Sequence, residues 1–97
     1  MLLEITGEVV EWRGPAPHHF VALPQDAARE VADVAALVTY GWGVVPVVVT
    51  LGSSTWTTSL IPRDGGYLLP LRAAERRAEG VALGDVVRAT LEVRGHR

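Results

Sequence analysis

The first dozen residues alternate. Leu3, Ile5 and Val9 are apolar and Glu4, Thr6 and Glu8 between them are polar, the period-two pattern of a strand with one wet face. Gly7 interrupts the run, and beyond it Val10 and Trp12 are apolar on the opposite parity; a bulge around residues 7–9 would account for the switch. Arg13-Gly14-Pro15-Ala16-Pro17 cannot sit within a ladder and reads as a loop. His18 to Leu23 reads as a second strand, antiparallel to the first.

Pro24 then opens a helix over about residues 25–38, its fixed φ suiting a first turn, with Asp26 where the helix dipole favours an acid. Ala28, Val31, Ala35 and Val38 recur at spacings of three and four and share a face that Val34 widens. That face is expected to cover an open end or face of a sheet. Thr39 to Gly43 is an aromatic and glycine-rich loop. The run from Val44 to Leu51 is apolar on both parities, which predicts a strand buried on both sides, with Pro46 demanding an edge, a strand start or a bulge. Gly52-Ser53-Ser54 is a hairpin turn, Thr55 to Ile61 a strand, Pro62 to Gly66 a second turn and Tyr67 to Leu71 a short strand.

A one-to-two-turn helix is predicted over about residues 72–79, closed by Gly80 in a left-handed cap. In the last strand Val87, Ala89, Leu91 and Val93 face one way. Asp85, at the turn into it, is expected to accept backbone N–H bonds. About six short strands with glycine and proline turns point to a mainly β fold, a small closed barrel in a single domain over residues 1–97. A faint internal echo supports two related halves. Phe20-Val21-Ala22-Leu23-Pro24 precedes the first helix and Tyr67-Leu68-Leu69-Pro70-Leu71 the second.

Composition narrows the classes. The chain has 97 residues, 48 % of them apolar, enough for one modest core. Without cysteine, disulfides, thiol catalysis and thiolate metal sites are excluded. The 9 basic residues are all arginine against 11 acids, a net charge of −2 that argues against bulk binding to nucleic acid or anionic lipid. The acid-bearing start does not read as a signal peptide, and no stretch reaches the ~18 apolar residues that span a bilayer. A cytoplasmic chain without a membrane segment is expected.

The ordered set Trp42-Gly43, Val47-Val48-Val49-Thr50-Leu51, Trp56, Ser59-Leu60-Ile61-Pro62, Tyr67-Leu68-Leu69-Pro70-Leu71, Arg76-Arg77, Gly80 and Gly84-Asp85 resembles the bacterial DUF1905 family, and Phe20 to Pro24 fits it too. The resemblance covers nearly the whole chain. It implies a double-split β-barrel, in the group that contains the AbrB- and MazE-type DNA-binding and antitoxin domains, and it implies no particular activity. Leu69 to Leu91 is also similar to AbrB-type domains. Two positions depart from the family pattern: Val47 and Val49 stand where basic residues are expected, and Glu75 stands where an apolar helix residue is expected.

Candidate chemistry is sparse. His18 and His19 point to opposite faces of a strand and do not grip one ion, so neither a metal site nor a cofactor is expected. Ser53, Ser54 and Ser59 lack a nucleophile motif or a base at diagnostic spacing, and no catalytic residue is assigned. Arg72, Arg76 and Arg77 are the one basic cluster. Arg72 and Arg76 share a helix face, and two guanidiniums there could clamp a phosphate or carboxylate. The bland alternative is a solvated helix with Glu75 and Glu79 as counter-charges. Trp42 between two glycines could line a pocket or plug the barrel end.

The reading that results is a non-enzymatic barrel, monomeric or homodimeric, that binds a small anionic ligand. Arg72, Arg76, Arg77, Trp42, His19, Ser59 and Tyr67 are its candidate ligand-binding residues. An AbrB-like DNA-binding or antitoxin-type regulator is the alternative, and an enzyme using the barrel mouth is the third reading.

Overall fold

A computed structural model describes residues 1–12, 18–38 and 44–93. The elements run β1 (Leu2–Trp12), β2 (His18–Ala22), α1 (Gln25–Val38), β3 (Val45–Leu51), β4 (Ser54–Arg63), β5 (Gly66–Leu71), α2 (Ala73–Ala78) and β6 (Val86–Val93). Every strand pair is antiparallel, and the ring closes as β1-β2-β5-β4-β3-β6. The expected mainly β barrel with one covering helix and one short helix is therefore the observed fold.

Two long strands make the closure. β1 pairs with β6 from Leu2 to Glu8 and with β2 from Val9 to Trp12. β4 pairs with β3 from Ser54 to Leu60 and with β5 from Ile61 to Arg63. Each thus divides its length between two neighbours, as a double-split layout requires. The chain is two copies of one pattern, β1-β2-α1-β3 and β4-β5-α2-β6, and exchanging them leaves the ring order unchanged. Val21 faces Leu69 where the halves meet across β2 and β5. The echo ahead of the two helices belongs to this repeat.

Side chains of one parity fill the interior. Leu60, Leu69 and Leu91 are wholly buried, each contributing about 1.5–3 kcal/mol. At one end Ala27, Ala28, Val31 and Ala35 of α1 join this core, which is why the small residues of the helix fall on one face. α2 crosses the other end and buries no residue completely.

Three expectations need correction. No bulge breaks β1, because pairing steps one for one through Gly7–Val87 and Glu8–Val86 and on to Val9–Val21. Val10 and Trp12 simply point outward, 43 % and 48 % exposed. Gly7 is needed for closeness instead: a Cβ there would lie 2.7 Å from Val21 Cγ1 and 3.1 Å from the Ala22 carbonyl oxygen. β3 is not buried on both sides, since Val45, Val47, Val49 and Leu51 point inward and Pro46 and Val48 are half-buried on the outer face. Pro46 lies at the strand start, before β6 begins to pair at Val47. A basic residue in place of Val47 or Val49 would be a charge buried in the core. Finally, β4 continues through Pro62 and Arg63, and the second turn shrinks to Asp64-Gly65, with φ of 52° and 79°. These left-handed values are those of a two-residue hairpin turn, for which Asp-Gly is a favoured pair.

The expected loops at 13–17 and 39–43, the latter with Tyr40 and Trp42, and the tail at 94–97 lie outside the described residues.

Candidate functional site

The outer face of β1, β2, β5 and β4 carries side chains that an outer barrel wall does not ordinarily need. Register places Val10 beside Phe20, Phe20 beside Pro70, Ala22 beside Leu68 and Leu68 beside Ile61. Phe20 is 5 % exposed yet stands apart from the barrel core. It is covered from outside by Trp12, with ring centroids 6.5 Å apart, and by His18 at 6.1 Å. A continuous apolar surface on a small domain is the informative kind of exposure.

Over this surface opens a cleft of about 390 Å³, within the usual range for small-molecule sites. Val10, Phe20, Ala22 and Leu68 form its apolar floor. Trp12 reaches over from the end of β1 and Arg63 from the end of β4, so the two divided strands each send one residue. The Arg63 guanidinium carbon sits 5.3 Å from the Trp12 ring centroid, a cation–π contact. Asp64 completes the rim, while Glu11 and Tyr67 border it from the inner parity of their strands, Tyr67 packing against the barrel core. Arg63 Nε stands 3.7 Å from Asp64 Oδ2, an ion pair too long to be a hydrogen bond. Among the described residues no side chain accepts a hydrogen bond from this guanidinium.

The expected site residues scatter across the barrel. Tyr67 lines the cleft. His19 shares the inner parity of Val21 and is partly exposed at the barrel end, while His18 lies outside beside Phe20, so the two histidines do part as expected. Ser59 lines a separate shallow groove with Pro46, Ile61 and Pro70. Trp42 lies outside the described residues. Arg72, Arg76 and Arg77 are brought together around α2, away from the cleft. Arg72 forks onto Glu75, with Nε to Oε1 at 3.0 Å and Nη2 to Oε2 at 2.9 Å. That hydrogen bond, with the attraction between the charges, raises the Arg72 pKa and lowers that of Glu75. Arg76 Nε is buried and has no hydrogen-bond partner among the described residues; nor has Trp56 Nε1 inside the barrel.

Beyond α2, Glu79 accepts hydrogen bonds from Ser54 Oγ at 2.6 Å and Ser53 Oγ at 3.3 Å, and the Ser54 bond holds its carboxyl below the ordinary range. Asp85 accepts the Ala82 N–H at 2.8 Å, the expected turn bond. Trp56 is 5 % exposed and serves the core. Among the described residues no group of three His, Asp or Glu could hold a metal ion, and no helix is long and apolar enough to cross a membrane.

The model of the family described as "Domain of unknown function (DUF1905)" matches residues 6–91, from β1 to β6. The chain belongs to the DUF1905 family. No curated protein matches it. The match spans both halves of this DUF1905 barrel and every described residue of the cleft.

Sequence reasoning passed over Trp12, Phe20, Arg63 and Asp64 as parts of one site. The available signal was Val10 and Trp12, two large apolar residues on the parity that faces water.

Proposed function

We propose that this DUF1905 domain is a non-enzymatic small-molecule-binding barrel, its ligand lying in the outer cleft and presenting an anionic group to Arg63. The observation that carries the reading is the Arg63 guanidinium, held at 5.3 Å over Trp12 above an apolar floor. The cation–π contact holds the guanidinium beside the indole without using its N–H donors, which stay open to a carboxylate. The apolar floor supplies affinity for a hydrocarbon or aromatic body. The α2 arginines stay outside this site, since none of them lines the cleft, and Arg72 is engaged by Glu75.

The test is a two-dimensional NMR titration with apolar carboxylates (phenylacetate, 3-phenylpropionate, hexanoate) and apolar α-amino acids. The reading expects shifts at the Trp12 indole N–H and the Arg63 Nε–H, abolished in Arg63→Gln. Unmoved Trp12 and Arg63 signals throughout the panel would overturn it.

A further inference from the structure

The polar rim of the cleft is not simply cationic. It holds one guanidinium, Arg63, and one carboxylate, Asp64, in a chain whose net charge is already −2. A purely anionic ligand would meet Arg63 favourably and Asp64 unfavourably. Asp64 and Arg63 lie close enough to feel each other at 3.7 Å without a hydrogen bond joining them. Each therefore keeps hydrogen-bonding capacity for a third party. The left-handed φ of 52° at Asp64 belongs to the hairpin turn, so the acid is set beside Arg63 by the backbone.

Opposite charges a few ångströms apart, beside an apolar hollow, match a molecule that carries both charges on one carbon and a bulky apolar group on the same carbon. We infer that the ligand is a free α-amino acid with a large apolar or aromatic side chain. Its carboxylate takes the fork of Arg63, its ammonium group takes Asp64, and its side chain lies over Phe20, Ala22 and Leu68. This rests on the cleft being the binding site. It adds that the ammonium group is read as well as the carboxylate. An internal or terminal residue of a peptide does not satisfy the site, because a peptide separates the two charges.

Calorimetric titration of the full chain with phenylalanine, 3-phenylpropionate (no ammonium) and phenylalaninamide (no carboxylate) tests the inference. Phenylalanine is expected to bind at least tenfold more tightly than either analogue. Asp64→Asn, which tolerates the left-handed turn, is expected to erase the preference over 3-phenylpropionate, whose own weak binding is retained or strengthened once the repelling carboxylate is gone. That retained binding also shows that the variant is folded. If 3-phenylpropionate binds as tightly as phenylalanine, the amino-acid inference falls and the cleft reading stands. If phenylalaninamide matches phenylalanine, the cleft takes a cation, and the inference falls together with the role of Arg63. If none of the three binds, the inference falls with the cleft reading.

Discussion

Ser54 Oγ donates a 2.6 Å hydrogen bond to Glu79 Oε2, tying the start of β4 to the end of α2. This is a side-chain latch between the turn that joins β3 to β4 and the short helix that no fully buried residue anchors. The Ser54 bond lowers the Glu79 pKa, so the ionised carboxylate is the form that the fold favours. The sign follows from linkage. Stabilisation by the latch is fully present above the ordinary carboxylate pKa and is lost as the pH falls through the lowered native value. Urea unfolding of the wild type and of Glu79→Gln should differ at pH 7, with the wild type more stable, and converge in strong acid. Equal midpoints at pH 7 would mean that the latch is inert.

Gly7 should not tolerate a methyl group. Alanine there would press its Cβ against Val21 Cγ1 at 2.7 Å, just before β1 passes from its pairing with β6 to its pairing with β2. Overpacking of that sort costs about 1–3 kcal/mol, which denaturant midpoints of Gly7→Ala would show. Gly52→Ala, with φ of 61°, should lose about 1–2 kcal/mol from the backbone alone, and it would also displace Glu79.

Leu69→Ala should cost about 2–5 kcal/mol, because Leu69 is wholly buried where the two halves meet. Val86→Ala, at 70 % exposure, should change stability by less than about 0.5 kcal/mol. Thermal unfolding of the pair side by side checks the inside-outside assignment of the barrel wall.

Arginine variants separate the two basic regions. Arg63→Gln should abolish the ligand-induced shift of the Trp12 indole, whereas Arg72→Ala and Arg77→Ala should leave it intact. Loss in the α2 variants and not in Arg63→Gln would move the site to that helix.

Much of the barrel was legible in the sequence because burial on one side writes itself as alternation. The helix over 25–38 has the bounds read from its spacing and the Pro24 start. The inner row Val87, Ala89, Leu91 and Val93 of β6 was read correctly, with Val87 the least buried of them. The failures share one cause. Val10, Trp12, Pro46 and Val48 are apolar on the outer face, so rules that equate apolar with inward gave a bulge at Gly7 and a doubly buried β3. For Val10 and Trp12, those misread positions are the cleft. Arg63 and Asp64 looked like turn residues, and only the pairing of β1, β2, β5 and β4 into one surface brings Arg63 over Trp12, 51 positions away in the chain.

The Met1 carbonyl accepts the Val93 N–H at 2.8 Å, so the first and last described residues are neighbours. The gap between them corresponds, in the repeat, to the turn at Gly52-Ser53 that joins β3 to β4. A permuted chain linked from Val93 to Met1 and opened at that turn would read β4-β5-α2-β6-β1-β2-α1-β3, the same succession of element types. The architecture thus has two interchangeable points of origin, and translation order could be reversed between the halves without altering which strand lies beside which.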